Sequence, residues 1–373
     1  MKIIFAGGDI GNDGMKLVLG IGNRLFIPNA VKEVAHGTER KSIGEDEKVL
    51  DTLDVIIRCT HLPELDGRRF WVGNLAVGKG EYQVSPDTKK RDNPLILVPL
   101  FTGLALQADK KEDDLHTQVT MGLPMEEFLE KNERKSFETR IKGDFEVEFV
   151  STHRMEGWKV KIRFDPTLAP EGLGIILHQM TNQFGQNIKP EWKGQAMGCI
   201  DIGGFSTDIS AIGSDHRPDA DLCDGFQLGT ISALDGVGEE INRLYKIKFP
   251  RHMLEETITK KNCQLQLGAK QIDITDIVDS NFRSVAHQIA QRVLEITRKP
   301  KAAMIHRYFV VGGGALKYEQ FLENELQEKM YSELIWLTTD PEETVFLNAE
   351  SFYRLAILKA YKANLLLPKI KEA

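Results

Sequence analysis

The chain has 373 residues, 41% apolar and 28% charged, with a formal net charge of −7. That length predicts two domains rather than one ordinary core, the composition is that of a soluble globular protein, and the acidic balance argues against a general polyanion binder. Cys59, Cys199, Cys223 and Cys263 lack paired or metal-type spacing, the N-terminal residues enter a strand directly rather than a signal peptide, and no apolar run nears the roughly 20 residues that span a bilayer, so a cytoplasmic protein without a membrane partner is expected.

Residues 1–27 predict a strand hairpin continuing into a third strand. Residues 34–54 are polar and irregular, with an exposed loop over 36–41. Residues 55–59 and 69–73 predict short strands around a turn at Leu65-Asp66-Gly67. Residues 74–94 are charged and loop-like. Residues 93–107 predict a buried helix: Pro94 suits its start, Leu97, Leu100, Phe101 and Leu104 keep helical spacing, and Pro99 either kinks it or delays its start. The charge run at 109–114 predicts a solvated loop. A strand is expected over 118–121, then a helix over 125–137 whose Glu126-Glu127 suits the dipole of its first turn. Residues 145–150 and 158–164 alternate as half-buried strands. Residues 166–170 are the expected domain junction, followed by a long helix from Glu171 to about Phe184. Residues 246–285 suit a peripheral subdomain, and 277–297 predict an amphipathic helix carrying Val285, Ile289, Val293 and Ile296. The last helix is expected within 341–359.

Three motifs carry chemistry. Asp201-Ile202-Gly203-Gly204-Phe205-Ser206-Thr207-Asp208 sits between apolar runs and predicts a β-hairpin wrapped around a small anion. Its glycines let backbone N–H groups approach a phosphate. Asp201 and Asp208 cannot bind phosphate themselves, so they imply a hydrated divalent cation and a positioned water. Asp9-Ile10-Gly11, followed by Asn12, repeats this pattern near the N-terminus. Two such hairpins half a chain apart predict two related domains acting on one nucleotide. The third motif is an apolar strand running into Gly312-Gly313-Gly314-Ala315, with a helix from Lys317 to Lys329; its glycines allow a base or ribose to lie against the backbone near a helix N-terminus.

The chemistry implied is phosphoryl transfer to water, which demands positioning and charge stabilisation. Asp9 and Asp201 would hold Mg²⁺ through its waters. Backbone N–H groups near Gly11, Asn12, Gly203 and Gly204 would cradle the phosphates. Lys16 either offers a point charge to them or, if strand alternation turns it away, is a solvated or salt-bridged lysine. Asp208 orders the attacking water or caps local N–H groups.

The three motifs in this order resemble the superfamily of actin, sugar kinases and heat-shock chaperone ATPases, and within it the bacterial plasmid-segregation actins of the ParM/StbA type. Gly122-Leu123-Pro124 is similar to that family's strand-Leu-Pro segment, and Pro170-Glu171-Gly172 to the turn carrying its hydrolytic glutamate. Leu228-Gly229-Thr230, ahead of a helix over 233–245, is similar to its nucleotide-touching Leu-Gly element. The resemblance is weak over 30–95 and 246–285. Phe205-Ser206-Thr207 stands where the family often has Thr-Thr, which leaves the phosphate-contacting hydroxyl open between Ser206 and Thr207, and Asp13 is an extra charge in the first hairpin.

The resemblance implies an α/β, actin-like ATPase fold: two related ribonuclease H-like domains flanking a nucleotide cleft, domain I over 1–165 with a subdomain at 30–95, domain II over 166–344 with a subdomain at 246–285, and a C-terminal helix over 345–373 packing back on domain I. It also implies an Mg²⁺-dependent hydrolase of ATP or GTP, leaving ADP after ATP turnover, with Glu171, Asp201 and Asp208 catalytic. The partners implied are further copies of the chain, head to tail in a filament, and a small DNA-binding adaptor on a plasmid centromere, with no direct nucleic-acid contact. The alternatives are a sugar or carboxylate kinase, a chaperone-like ATPase and a non-hydrolysing actin-like scaffold.

Overall fold

Lys2–Ile10 (β1) and Gly14–Val18 (β2) form the hairpin expected around Asp9-Ile10-Gly11, and Arg24–Pro28 (β3) continues it. The structure, a computed structural model, describes residues 2–11, 14–20, 22–40, 46–77, 89–182, 186–338 and 340–362. The chain divides into two units, Met1–Glu191 with Phe346–Ala373, and Trp192–Val345.

The first unit adds β4 (Val31–Val34), β5 (Asp54–Arg58), β6 (Arg68–Val72), β7 (Glu112–Leu123), β8 (Gly143–Phe149) and β9 (Lys159–Pro170), giving a sheet in the order β3-β2-β1-β7-β9-β8-β5-β6-β4. Residues 31–72 therefore extend this sheet at its far edge. The unit's helices are α1 (Asn74–Val77), α2 (Leu97–Ala105), α3 (Met125–Leu129), α4 (Lys131–Ile141) and α5 (Leu173–Met180). Every residue of α2 is buried, and Phe101 packs against Phe145 and Phe164 with ring centroids 3.9 and 5.4 Å away, a contact that aromatic quadrupoles favour in tilted and edge-on forms. Pro99 falls in the first turn of α2, after a 3₁₀ turn at Pro94–Ile96, so it delays the α-helix rather than kinking it.

Several expectations change in this unit. Residues 112–114 belong to β7, not to a loop, because Glu112 and Asp114 face Lys159 and Lys161 of β9 across the ladder, and opposite charges in register stabilise a strand pair. The helix over 125–137 is broken at Glu130, whose backbone leaves the helical region. The junction expected at 166–170 lies inside β9. Pro166 and Pro170 are tolerated there because β8 stops pairing at Phe164, leaving that side of β9 without a ladder to donate to. The division comes after Glu191 instead. Helix α5 starts at Leu173, with Gly172 at φ 77° before it, and ends at Met180, with Thr181 bridging to Asn187; residues 183–185 lie outside the described residues.

The second unit holds β10 (Met197–Ile202), β11 (Thr207–Ile212), β12 (Asp224–Phe226), β13 (Gln264–Leu267), β14 (Lys270–Asp273), β15 (Arg307–Val311) and β16 (Glu333–Trp336), with α6 (Thr230–Tyr245), α7 (Arg251–Lys260), α8 (Thr275–Thr297) and α9 (Gly313–Gln327). Its main sheet runs β12-β11-β10-β15-β16, and β13 and β14 form a separate hairpin. Helix α8 passes unbroken through residue 285, where the peripheral segment was expected to close. Helix α9 starts four residues before Lys317, which places Gly313 and Gly314 in its first turn.

The two main sheets share one plan. In β3-β2-β1-β7-β9 and in β12-β11-β10-β15-β16, three antiparallel strands are followed by two parallel ones. The sequence repeat of Asp-x-Gly is thus a repeat of architecture, with β1 and β10 in the same central place. Helix α10 (Pro341–Lys362) runs from the second unit into the first. Within the first unit it lies directly on β1: a Cβ at Gly7 would stand 2.0 Å from Ala349 O and 2.2 Å from Tyr353 N. Arg24 on β3 pairs with Glu350 at 2.6 Å, and Arg354 donates to the carbonyls of His178 and Thr181 at the end of α5.

Among the described residues no helix is long and apolar enough to cross a membrane, and the four cysteines are unbridged.

Candidate functional site

Each unit carries its own set of candidate residues at the carboxyl end of its central strands, the position where open α/β sheets take ligands. In the first unit, Asp9 stands directly opposite Lys16 across the β1–β2 hairpin. Opposite residues share a face, so Lys16 stands beside Asp9, the salt-bridged arrangement among those expected of it. Lys16 Nζ lies 3.9 Å from Asp9 Oδ2, and the two residues are 7% and 8% exposed. At the turn, Gly11 N–H donates to Gly14 O, and Asn29 Nδ2 donates to Gly11 O. Asn12 and Asp13 lie outside the described residues.

Glu171 sits between the end of β9 and the start of α5. Its N–H donates to Leu123 O at 2.9 Å, which ties it to the end of β7. Its carboxylate meets a residue that the sequence reading missed: Lys90 Nζ lies 2.6 Å from Glu171 Oε1, with side chains 14% and 12% exposed. Burial works against the charge of Lys90, but Glu171, then Asp9 and Glu127, outweigh it and hold the ammonium above the usual lysine range. The backbone that carries Lys90 is pinned by Glu127 of α3, whose carboxylate accepts from Lys90 N–H at 3.0 Å and Arg91 N–H at 3.2 Å. The available signal was the basic triplet Lys89-Lys90-Arg91 immediately ahead of an apolar helix, matched by Glu126-Glu127 and Glu130 further on.

In the second unit, Asp201 stands opposite Asp208 across β10–β11, so two carboxylates share a face. Their field is felt at Cys199, whose thiol is pushed well up by its burial and then by Asp201 and Asp208. Ser206 Oγ donates to Asp208 Oδ2 at 3.0 Å. Thr207 is fully buried and its hydroxyl donates to Leu228 O at 2.8 Å, so of the two candidate hydroxyls Ser206 is the one at the turn. Gly203 N–H closes the turn on Ser206 O at 2.8 Å, leaving Gly204 and Phe205 at its tip, where the Arg251 guanidinium lies 5.9 Å above the Phe205 ring.

The tip is welded to two helix starts. Thr230 and Ile231 at the head of α6 donate to Gly203 O and Gly204 O, and a Cβ on Gly229 would stand 2.4 Å from Gly204 O. Tyr318 Oη of α9 holds Gly229 O at 2.9 Å. Gly312 adopts φ 96°, and a Cβ there would meet Asp201 Oδ1 at 2.4 Å. Gly314 is packed against Ile202 and Gly203 in the same way, whereas Gly313 faces open space. Ala315 is buried in the core. Of the glycine-rich run, then, Gly313 is the one whose missing side chain the protein's own packing does not demand.

Among the described residues no group of three or more His, Cys, Asp or Glu is gathered as a metal-ligand set. The donors that are present are oxygen-only carboxylates, which suit a hard cation bound through its own waters rather than a cage of protein ligands.

A model of the N-terminal domain of actin-like proteins matches residues 7–174, and a model of the C-terminal domain of archaeal MreB-like actin homologues matches residues 199–328. Between them they take in both hairpins, Glu171 and the Gly312–Gly314 turn. The chain belongs to the actin-like proteins. Solved actin-like structures agree over almost the whole chain. The actin-like protein Alp7A superposes with a TM-score of 0.75 at 17% identity, covering 97% of this chain and 98% of its own. ParM of Bacillus thuringiensis with ATP gives 0.71 at 20%, covering 97% and 100%, and the archaeal actin homologue Ta0583 gives 0.68 at 17%, covering 96% and 100%. No curated protein sequence matches the chain at a significant level. This actin-like chain thus has the two-domain α/β fold that the paired motifs predict.

Proposed function

We propose that this actin-like protein binds ATP or GTP with Mg²⁺, hydrolyses it, and assembles head to tail into cytoplasmic filaments that segregate plasmid DNA. The observation that carries the reading is the duplicated hairpin: each copy sets an Asp-x-Gly aspartate at the same register beside its turn. The similarity to ParM, solved with ATP, AMPPNP and ADP, supports the nucleotide.

Both motif sets would act on the same nucleotide. The Gly204 N–H at the tip of the second turn would bind the phosphates, since those of Gly11 and Gly203 close their own turns, with Lys16 as a point charge and Ser206 as the hydroxyl contact once it turns from Asp208. Asp9 and Asp201 would hold Mg²⁺ through its waters, the cation supplying charge neutralisation on the phosphates. Glu171 would polarise the attacking water and Asp208 would help order it, so that positioning and electrostatics lower the barrier. The backbone around Gly313 would lie against the base or ribose. A contact between unlike faces of successive copies extends into an open filament unless its rotation closes a ring. Net charge −7 favours reaching DNA through a small basic adaptor rather than directly.

The test is 90° light scattering after addition of Mg-ATP, and separately Mg-GTP, with phosphate release followed in parallel. Scattering that rises above a critical concentration, with phosphate release tracking or lagging it, supports the proposal. Phosphate release without scattering would point instead to a kinase or chaperone-like ATPase, and scattering without phosphate release to a scaffold.

A further inference from the structure

The Lys90–Glu171 pair is at 2.6 Å, nearly buried, and built from two parts of the chain 81 residues apart. A surface ion pair contributes little, but this one carries features of a positioned group. The Lys90 backbone is fixed by Glu127, itself 5% exposed. Its flanks are fixed by Glu130, which pairs with Lys89 at 2.9 Å and with Arg91, and by Arg140, which donates to Arg91 O. Glu171 is anchored from the other side through Leu123 O, and a Cβ on Gly122 would already stand 2.9 Å from Glu171 Cγ. The glutamate therefore has little freedom, and an ammonium sits on its carboxylate.

We propose that Lys90 is a positioning residue for nucleotide hydrolysis: its ammonium fixes the Glu171 carboxylate in the orientation that aligns the attacking water. The inference rests on the reading of Glu171 given above and adds to it a second residue, contributed by the segment before α2. Physically, a carboxylate aligns a water best when its own orientation is fixed. A charge-assisted bond to Lys90 occupies one oxygen and locks the torsion, while Glu171 remains the group that faces the water. Misplacing such a group by about 1 Å can cost on the order of 100-fold in rate.

The test is a double-mutant cycle on the full chain with Mg-ATP and Mg-GTP: wild type, Lys90→Met, Glu171→Gln, the double variant, and Lys90→Arg. Phosphate release gives kcat and KM, a fluorescent nucleotide analogue gives affinity, and thermal melting reports folding. The expected result is a kcat lowered roughly 10- to 100-fold by Lys90→Met, with KM and affinity held. Lys90→Arg is expected to keep most of the rate, and Lys90→Met to add nothing once Glu171 is Gln. A wild-type rate in Glu171→Gln would overturn the reading of Glu171, and this inference with it. A slow Glu171→Gln beside a fast Lys90→Met would overturn the role of Lys90 alone, as would multiplying effects in the double variant. Lys90→Met takes a charged partner from a nearly buried carboxylate, so if it melts early the rates are compared below its melting temperature. There a kcat lowered roughly 10- to 100-fold, with no further loss in the double variant, supports the inference, and a rate near wild type, or a double variant slower than Glu171→Gln, sinks it.

Discussion

Lys16 and Asp208 hold the same register position in two copies of one hairpin, each directly across from the aspartate of an Asp-x-Gly turn. The repeat that makes the halves alike thus also makes them different. The first hairpin presents a carboxylate with an ammonium, the second two carboxylates. On the proposed reading Lys16 would supply the positive charge for a phosphate, while Asp9 and Asp201 would hold the hydrated cation.

Replacing Lys16 by Met should therefore weaken nucleotide binding more than folding. A charge-assisted hydrogen bond contributes about 1.5–3 kcal/mol, which corresponds to roughly 10- to 100-fold in affinity. Titration with a fluorescent nucleotide measures it, and unchanged affinity would place Lys16 as a structural partner of Asp9 only.

Asp201→Ala should abolish nucleotide turnover, and chelation of divalent cations with EDTA should do the same to the wild type. Asp208→Asn keeps the shape and the hydrogen bond from Ser206 while removing a charge, so it should slow phosphate release and retain nucleotide binding. Equal loss of binding in both variants would mean that the two carboxylates serve the same role.

Glu171→Ala should bind nucleotide, polymerise and release phosphate slowly, giving longer-lived filaments because hydrolysis no longer weakens the contacts between copies. Sedimentation and light-scattering decay after nucleotide depletion read the lifetime. Filaments that disassemble at the wild-type rate would separate filament turnover from this residue.

The features legible in the sequence were those that recur locally. Asp201, Gly203, Gly204 and Asp208 are contiguous, and their apolar flanks predict the strands that bring Asp201 opposite Asp208. Lys90 was not legible because its partners Glu171, Asp9 and Glu127 come from distant strands and helices, and a basic triplet alone looks like a solvated loop. The prolines at 166 and 170 misled for a related reason: a proline marks a break unless the neighbouring strand does not reach it, and how far along β9 the start of β8 lies is a tertiary fact. Asp114 looked solvent-bound because the facing Lys161 is far off in sequence. Even the glycine run read differently once folded, since Gly312 and Gly314 serve packing against the hairpin while Gly313 does not.

That difference yields a paired prediction. A Cβ on Gly229 would stand 2.4 Å from Gly204 O, 2.6 Å from Gly204 C and 2.7 Å from Gly203 O. All three are backbone atoms of the hairpin tip, and none can swing aside as a side chain would. The φ of Gly229 is −157°, an ordinary extended value, so the demand for glycine there is steric. Gly229→Ala should push α6 off the tip, at a cost of about 1–3 kcal/mol for overpacking, and should lower the melting temperature and nucleotide affinity together. Gly313→Ala meets nothing within 4 Å and sits in the first turn of α9, where Ala is favoured over Gly by up to about 1 kcal/mol. It should leave the melting temperature unchanged or higher while weakening nucleotide binding, because the added methyl would occupy space that the base or ribose needs. Full nucleotide affinity in Gly313→Ala would remove that backbone from the binding surface, and an unchanged melting temperature in Gly229→Ala would show that the tip yields more easily than its backbone contacts imply.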